Sequence, residues 1–195
     1  MTDSRTDEVA REAARLMASS RSGSIGEAIR AAASALGYHD VDLPGHGRVR
    51  KHAQGLAMQA LGREGYARSV DDVWQAAERI MTVLTEAIPD AEPLLAGRAA
   101  QGLIDGGVTL HVRVYTHASI GDIAQTLVDF GYDEPGFETA ATRFGRLDRL
   151  RLADEGVEIL LTRCPPDVVG RSAVDLFTGK PVRTATLAGL RGKLR

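Results

Sequence analysis

The chain has 195 residues, of which 44% are hydrophobic and 26% charged. It is long enough for one large domain or two small ones with an ordinary buried core. A formal net charge of -2 excludes a protein that coats nucleic acid generally, because phosphate neutralisation needs a basic surplus. No apolar run reaches the roughly 18 residues of a membrane helix, and residues 1–12 lack the apolar centre of a signal peptide. One cysteine, Cys164, cannot close an internal disulfide, so the expected compartment is the reducing cytoplasm.

Residues 6–90 read as helices. Ala10, Ala14 and Met17 repeat at helical spacing. Ser24 and Glu27 make a capping-box pattern, and Ala28, Ile29, Ala32, Ala33 and Leu36 follow as one apolar face that Gly37 closes. A third helix starts after Pro44-Gly45-His46-Gly47, buries Val49, Ala53, Leu56 and Ala60, and ends at Gly62. Ser69 and Asp72 predict a capped fourth helix with Val73, Ala76, Ala77, Ile80, Met81 and Leu84 inward and Trp74 in the core.

The period changes near Pro89–Pro93, which divides the chain into a helical region, residues 1–90, and an α/β region, residues 91–195. Val108, Leu110, Val112 and Val114 alternate with Thr109, His111, Arg113 and Tyr115, the signature of a strand with two different faces. Ser119 and Asp122 predict a capped helix carrying Ile120, Ile123, Ala124, Leu127 and Val128 inward and stopping at Gly131. Two strands, 137–143 and 146–153, turn near Gly145. A third, 157–162, follows the Asp154-Glu155-Gly156 turn and ends before Pro165-Pro166. A short helix over 186–194 closes the chain. The fold class is therefore α+β: helices first, then a small mixed sheet with helices.

A short apolar strand at Leu94-Leu95-Ala96, a glycine turn at Gly97-Arg98 and a second strand at 108–115 resemble the opening of a nucleotidyltransferase domain. Together with 157–166, Gly179-Lys180-Pro181 and Thr184-Ala185-Thr186-Leu187, these features resemble a group of bacterial proteins, mostly without assigned activity. Those proteins place a helical region before a reduced nucleotidyltransferase-like domain. The resemblance implies that backbone N–H groups of the glycine turn hold a triphosphate. It also implies that two carboxylates opening the second strand, with a third from a later strand, hold magnesium. Glu158 stands where the third carboxylate is expected. At the first two positions the chain has Thr109 and His111, Arg98 replaces the usual serine, and Asp105 lies in the preceding loop.

Three functions follow as expectations. The first is a catalytically degenerate nucleotidyltransferase fold binding a nucleotide or other phosphorylated ligand through Gly97, Arg98, Thr109, His111 and Arg113, with Arg149 nearby and no cofactor. The second is an active, magnesium-dependent nucleotidyltransferase with Glu158 and Asp105 as its catalytic carboxylates. The third is a protein-interaction module. Elsewhere, Arg48, Lys51 and His52 share a helix face beside His46 and Arg50, which reads first as a solvated face of an amphipathic helix and second as a contact for a phosphate or an RNA backbone. The last twenty positions hold five basic residues and no acidic one, and read as a solvated tail or an anion contact. Cys164, beside Arg163, reads as inert packing or as a thiolate.

Overall fold

The computed structural model describes residues 2–19, 24–104, 109–170 and 173–194. It divides into two compact units, residues 1–68 with 104–107, and residues 69–103 with 108–195. The division falls at 68/69, whereas the change in periodicity lies near residue 90.

In the first unit, α1 (Thr2–Ala18) and α2 (Ile25–Ala35) pack with the start of α3 (His46–Ala87). Ser24 caps α2 by accepting from the Glu27 N–H at 3.2 Å, as the sequence predicts. The core is built mostly of alanine: Ala10, Ala13, Ala14, Ala28, Ala32, Ala33 and Ala53 join Val9, Ile29 and Val49. Small side chains let helices approach closely, so a modest apolar area still excludes water. Tyr66 closes the unit by donating to the Ile104 carbonyl at 3.2 Å and accepting from its N–H at 3.0 Å.

Helix α3 corrects one expectation. Its only non-helical residue is Gly62 (φ 68°, ψ 175°), and residues 63–68 are already helical, so Ser69 is interior and caps nothing. Glycine alone tolerates that break, and the helix resumes at once because nothing after it leaves helical geometry.

The second unit holds a six-stranded sheet in the order β3-β4-β5-β2-β1-β6. Its strands are β1 (Glu92–Ala96), β2 (Thr109–Tyr115), β3 (Gly136–Thr142), β4 (Gly145–Asp154), β5 (Val157–Cys164) and β6 (Thr184–Thr186). Only β2 and β5 pair in parallel. The architecture is the mixed α+β arrangement expected from the switch in period. Leu110, Val112 and Val114 are fully buried, as the alternation requires. The β4–β5 hairpin turns on Glu155 (φ 48°) and Gly156 (φ 83°), and Arg79 fastens it to α3 through Asp154 at 2.9 Å and Glu155 at 2.7 Å.

Helix α4 (Ile120–Asp129) has the predicted Ser119–Asp122 capping box and buries Ile123, Ala124 and Leu127. Val128 lies round the helix from that stripe and is 40% exposed, against expectation. Trp74 is half-buried rather than core. Its Nε1–H donates to the Ala99 carbonyl at 2.8 Å, and the Lys193 ammonium sits 4.7 Å from its ring centroid. The glycine turn at Gly97-Arg98 leads into a single 3₁₀ turn, Ala99–Gln101, closed by Gly102. Gly102 is needed there twice over: its φ is +72°, and a Cβ would lie 3.0 Å from the Trp74 ring. Helix α5 (Leu187–Lys193) starts at the Thr186 cap. Among the described residues no helix is long and apolar enough to cross a membrane.

Candidate functional site

One face of the sheet buries Leu110, Val112 and Val114, so period two sends Thr109, His111, Arg113 and Tyr115 of β2 to the other. The parallel register sets these opposite Glu158, Leu160, Thr162 and Cys164 of β5. The antiparallel register then brings Arg151 beside Leu160 and Arg149 beside Thr162, with Glu138 beyond Arg149. The result is a polar sheet face with two ends.

At the end formed by Thr109 and Glu158, the side chains link into a chain of bonds. Thr109 Oγ1 donates to Glu158 Oε2 at 2.5 Å. Arg151 Nη1 donates to the other oxygen, Glu158 Oε1, while Arg151 Nε donates to Glu138 Oε1 at 2.9 Å. The Thr109 bond holds the Glu158 carboxyl below its usual range, with burial opposing and the Arg151 and His111 charges adding. Arg151 remains about half exposed, and His111 is exposed. Next to them, Arg149 Nε donates to Thr162 Oγ1 at 3.3 Å, and its guanidinium lies 5.8 Å from the Phe177 ring centroid. Burial lowers the Arg149 pKa.

At the other end the face is covered by residues 165–170 and 173–183. Val169 and Leu176 join Tyr115, Leu147 and Cys164 in an apolar cluster. Arg113, only 5% exposed, donates Nη1 to the Val174 carbonyl at 2.7 Å, and the Arg143 N–H donates to the Leu176 carbonyl at 3.0 Å. Asp175 locks the covering turn by accepting from the Phe177 and Thr178 N–H groups at 3.1 and 2.6 Å, leaving Phe177 53% exposed.

The structure therefore brings Thr109, His111 and Glu158 together and places Arg113 deeper, beneath the cover. Gly97 has φ +87°, but its N–H already donates to the Arg183 carbonyl at 2.8 Å, so that group does not point at a ligand. Arg98 is half-buried, and its carbonyl accepts from Gln101 and Leu103. Asp105, Gly107 and Val108 lie outside the described residues, as does Arg195. Among the described residues, no three His, Cys, Asp or Glu side chains group to hold a metal ion. Among the described residues magnesium fits this face poorly: positions 109 and 111 carry no carboxylate, and both Glu158 oxygens already accept hydrogen bonds.

Arg151 and Glu138 were not anticipated from the sequence, although the alternation Arg149-Leu150-Arg151-Leu152 marks two arginines on one strand face. Asp90 was also missed. Its carboxylate accepts from Thr116 Oγ1 at 2.6 Å and the His117 N–H at 2.7 Å, which fixes the β2–α4 corner and holds its pKa down. The basic tail is partly structural: Arg191 donates to Glu78 at 2.7 Å, and Lys193 donates to the Ala100 carbonyl at 2.7 Å. Burial pushes the Cys164 thiol up to about 11, against the nearby Arg113 and Arg163 charges, which removes the thiolate reading.

No protein-family model matches the chain. No curated protein matches it either. Among solved structures, a cytoplasmic RNA terminal U-transferase is similar over 61% of this chain and 36% of its own, with 15% identity and a TM-score of 0.40. The GLD-2/RNP-8 complex is similar over 54% of this chain and 40% of its own, with 10% identity and a TM-score of 0.37. The chain thus spans well under half the length of either.

Proposed function

We propose that this chain binds a nucleotide or another phosphorylated small molecule on the open end of its polar sheet face, without transferring a nucleotidyl group. The observation that carries this reading is the state of Glu158. Metal-dependent phosphoryl transfer needs carboxylate oxygens free to hold cations against phosphate. Here one Glu158 oxygen accepts from Thr109 and the other from Arg151. The carboxylate orients an arginine; it is not presented to a metal.

Arg151 supplies the chemistry that the acids do not. A planar guanidinium can exchange a carboxylate for a phosphate while keeping paired, charge-assisted hydrogen bonds. His111 stands two strands over in the sheet register, with Leu160 of β5 between them, and Thr109 lies two residues before it on β2, opposite Glu158. Phe177, exposed on a locked turn against Arg149, offers an apolar surface to the organic part of the ligand. The fold supports this placement because the β2–β5 pair sets Thr109 and Glu158 directly opposite each other.

Calorimetry with a nucleoside triphosphate, in magnesium and in EDTA, beside a product assay, tests the reading. Binding of similar strength in both buffers with no product is the expected result. Magnesium-dependent turnover that Glu158→Gln abolishes would instead establish an active transferase. Absence of binding by any phosphorylated probe would place an interaction role ahead of ligand binding.

A further inference from the structure

The first unit carries a groove of about 840 Å³ between α1 and the beginning of α3. Arg11 of α1 and Arg48, Lys51 and His52 of α3 line it, and Asp7 is its only acidic side chain among the described residues. Helical spacing explains the arrangement: residues 48, 51, 52 and 55 fall on one side of α3, and 7 and 11 on one side of α1. Arg50, which the sequence groups with these cations, does not line the groove.

Two local features disfavour the helix at this spot. Cations spaced three and four apart repel one another, and Gly55 is the weakest helix former after proline. The glycines gain no close packing in return. A Cβ added at Gly47 or Gly55 would meet nothing within 4 Å, so these glycines do not permit a close approach by another part of the protein. They hold the groove floor open. The one carboxylate is already engaged, with Asp7 Oδ2 accepting from Arg11 Nη2 at 3.1 Å and Oδ1 lying 2.8 Å from His52 Nε2. Two arginines and a lysine therefore outnumber the single acid that lines the groove with them.

We propose that this groove is a separate anion site that takes a phosphate group, either of a small phosphorylated molecule or of a nucleic-acid backbone. Two guanidinium forks and an ammonium lining one open groove suit a multiply charged oxyanion, which accepts several charge-assisted hydrogen bonds at once. The site does not rest on the reading of the sheet face, since all its residues belong to the first unit.

The test uses the full chain carrying Arg151→Ala, so that the sheet face contributes little. Inorganic phosphate is titrated by calorimetry, and a short labelled single-stranded oligonucleotide by fluorescence anisotropy over a range of salt. Lys51→Glu should weaken binding by at least about tenfold at low salt. For the oligonucleotide it should also reduce the slope of log affinity against log salt by about 0.7 for each phosphate that is no longer neutralised. Gly55→Leu should block the floor while keeping or raising the melting temperature, because leucine is the better helix former. Binding of phosphate alone, or of the oligonucleotide alone, supports the site and identifies the source of the phosphate. Binding of neither probe, or binding that either substitution leaves unchanged, overturns it.

Discussion

The two ends of the polar sheet face begin from the same alternation and reach opposite states. At one end Thr109, Glu158 and Arg151 remain accessible and satisfy each other across strands. At the other, Tyr115, Leu147 and Cys164 are sealed under Val169 and Leu176, and Arg113 spends its charge on a backbone carbonyl. Strand periodicity fixes which side chains share a face. Whether that face meets water is decided by residues 165–170 and 173–183, which fold back over one end only. A polar residue under the cover serves stability, and the same kind of residue beyond it can serve a ligand.

The largest expected effect comes from opening the cover. Leu176→Ala removes a side chain that is 5% exposed and should cost about 2–4 kcal/mol in a denaturant melt. It should also make Cys164, now fully buried, react with a thiol reagent under native conditions. Unchanged stability and an unreactive thiol would mean that the cover does not separate the two ends.

Arg113→Ala comes next. A buried cation bonded to the Val174 carbonyl should contribute about 1.5–3 kcal/mol, and its loss should leave ligand binding at the open end almost unaltered. A selective loss of binding without loss of stability would return Arg113 to the site that the sequence suggested for it.

A smaller effect concerns pH. Glu158, Asp90 and Asp175 all have carboxyls held below their usual range. The causes are the Thr109 hydrogen bond for Glu158 and the His117 N–H for Asp90. At Asp175 burial is the largest influence and raises the pKa, but the bonds from Thr178 and Phe177 outweigh it. A depressed folded pKa stabilises the fold above the unfolded value and loses that contribution as pH falls through the folded one. The melting temperature should therefore hold near neutrality and drop from about pH 5 downward. Thr109→Val should remove part of that acid-side slope by letting Glu158 return towards its ordinary range. A slope identical to wild type would deny the Thr109–Glu158 bond its role.

Much of the fold was legible because it rests on local pattern. The Ser119–Asp122 box, the Asp154-Glu155-Gly156 turn and the Leu110-Val112-Val114 stripe each specify their element within a few residues. The Ser69–Asp72 pair misled because the same spacing occurs inside the helical segment that resumes after Gly62. Site features that depend on distant chain were not legible. Gly97 reads as a turn with an open N–H until the Arg183 carbonyl occupies it, and Arg113 reads as a groove cation until residue 174 folds across it. The Arg151–Glu158 pair spans only the β4–β5 hairpin, seven residues apart, and was legible in principle; what the segment does not encode is Thr109, which the parallel β2–β5 register brings to the same carboxylate from 49 residues away.

The most direct test of the central claim is to compare nucleotide affinity in the absence of magnesium for wild type, Glu158→Gln and Arg151→Ala. Arg151 is half exposed, so its removal should change stability by no more than about 1 kcal/mol while weakening binding clearly. Glu158→Gln should bind more tightly than wild type, because it removes a negative charge from the face and frees Arg151 to turn towards phosphate. Weaker binding in Glu158→Gln than in wild type, or unchanged binding in Arg151→Ala, would contradict the account.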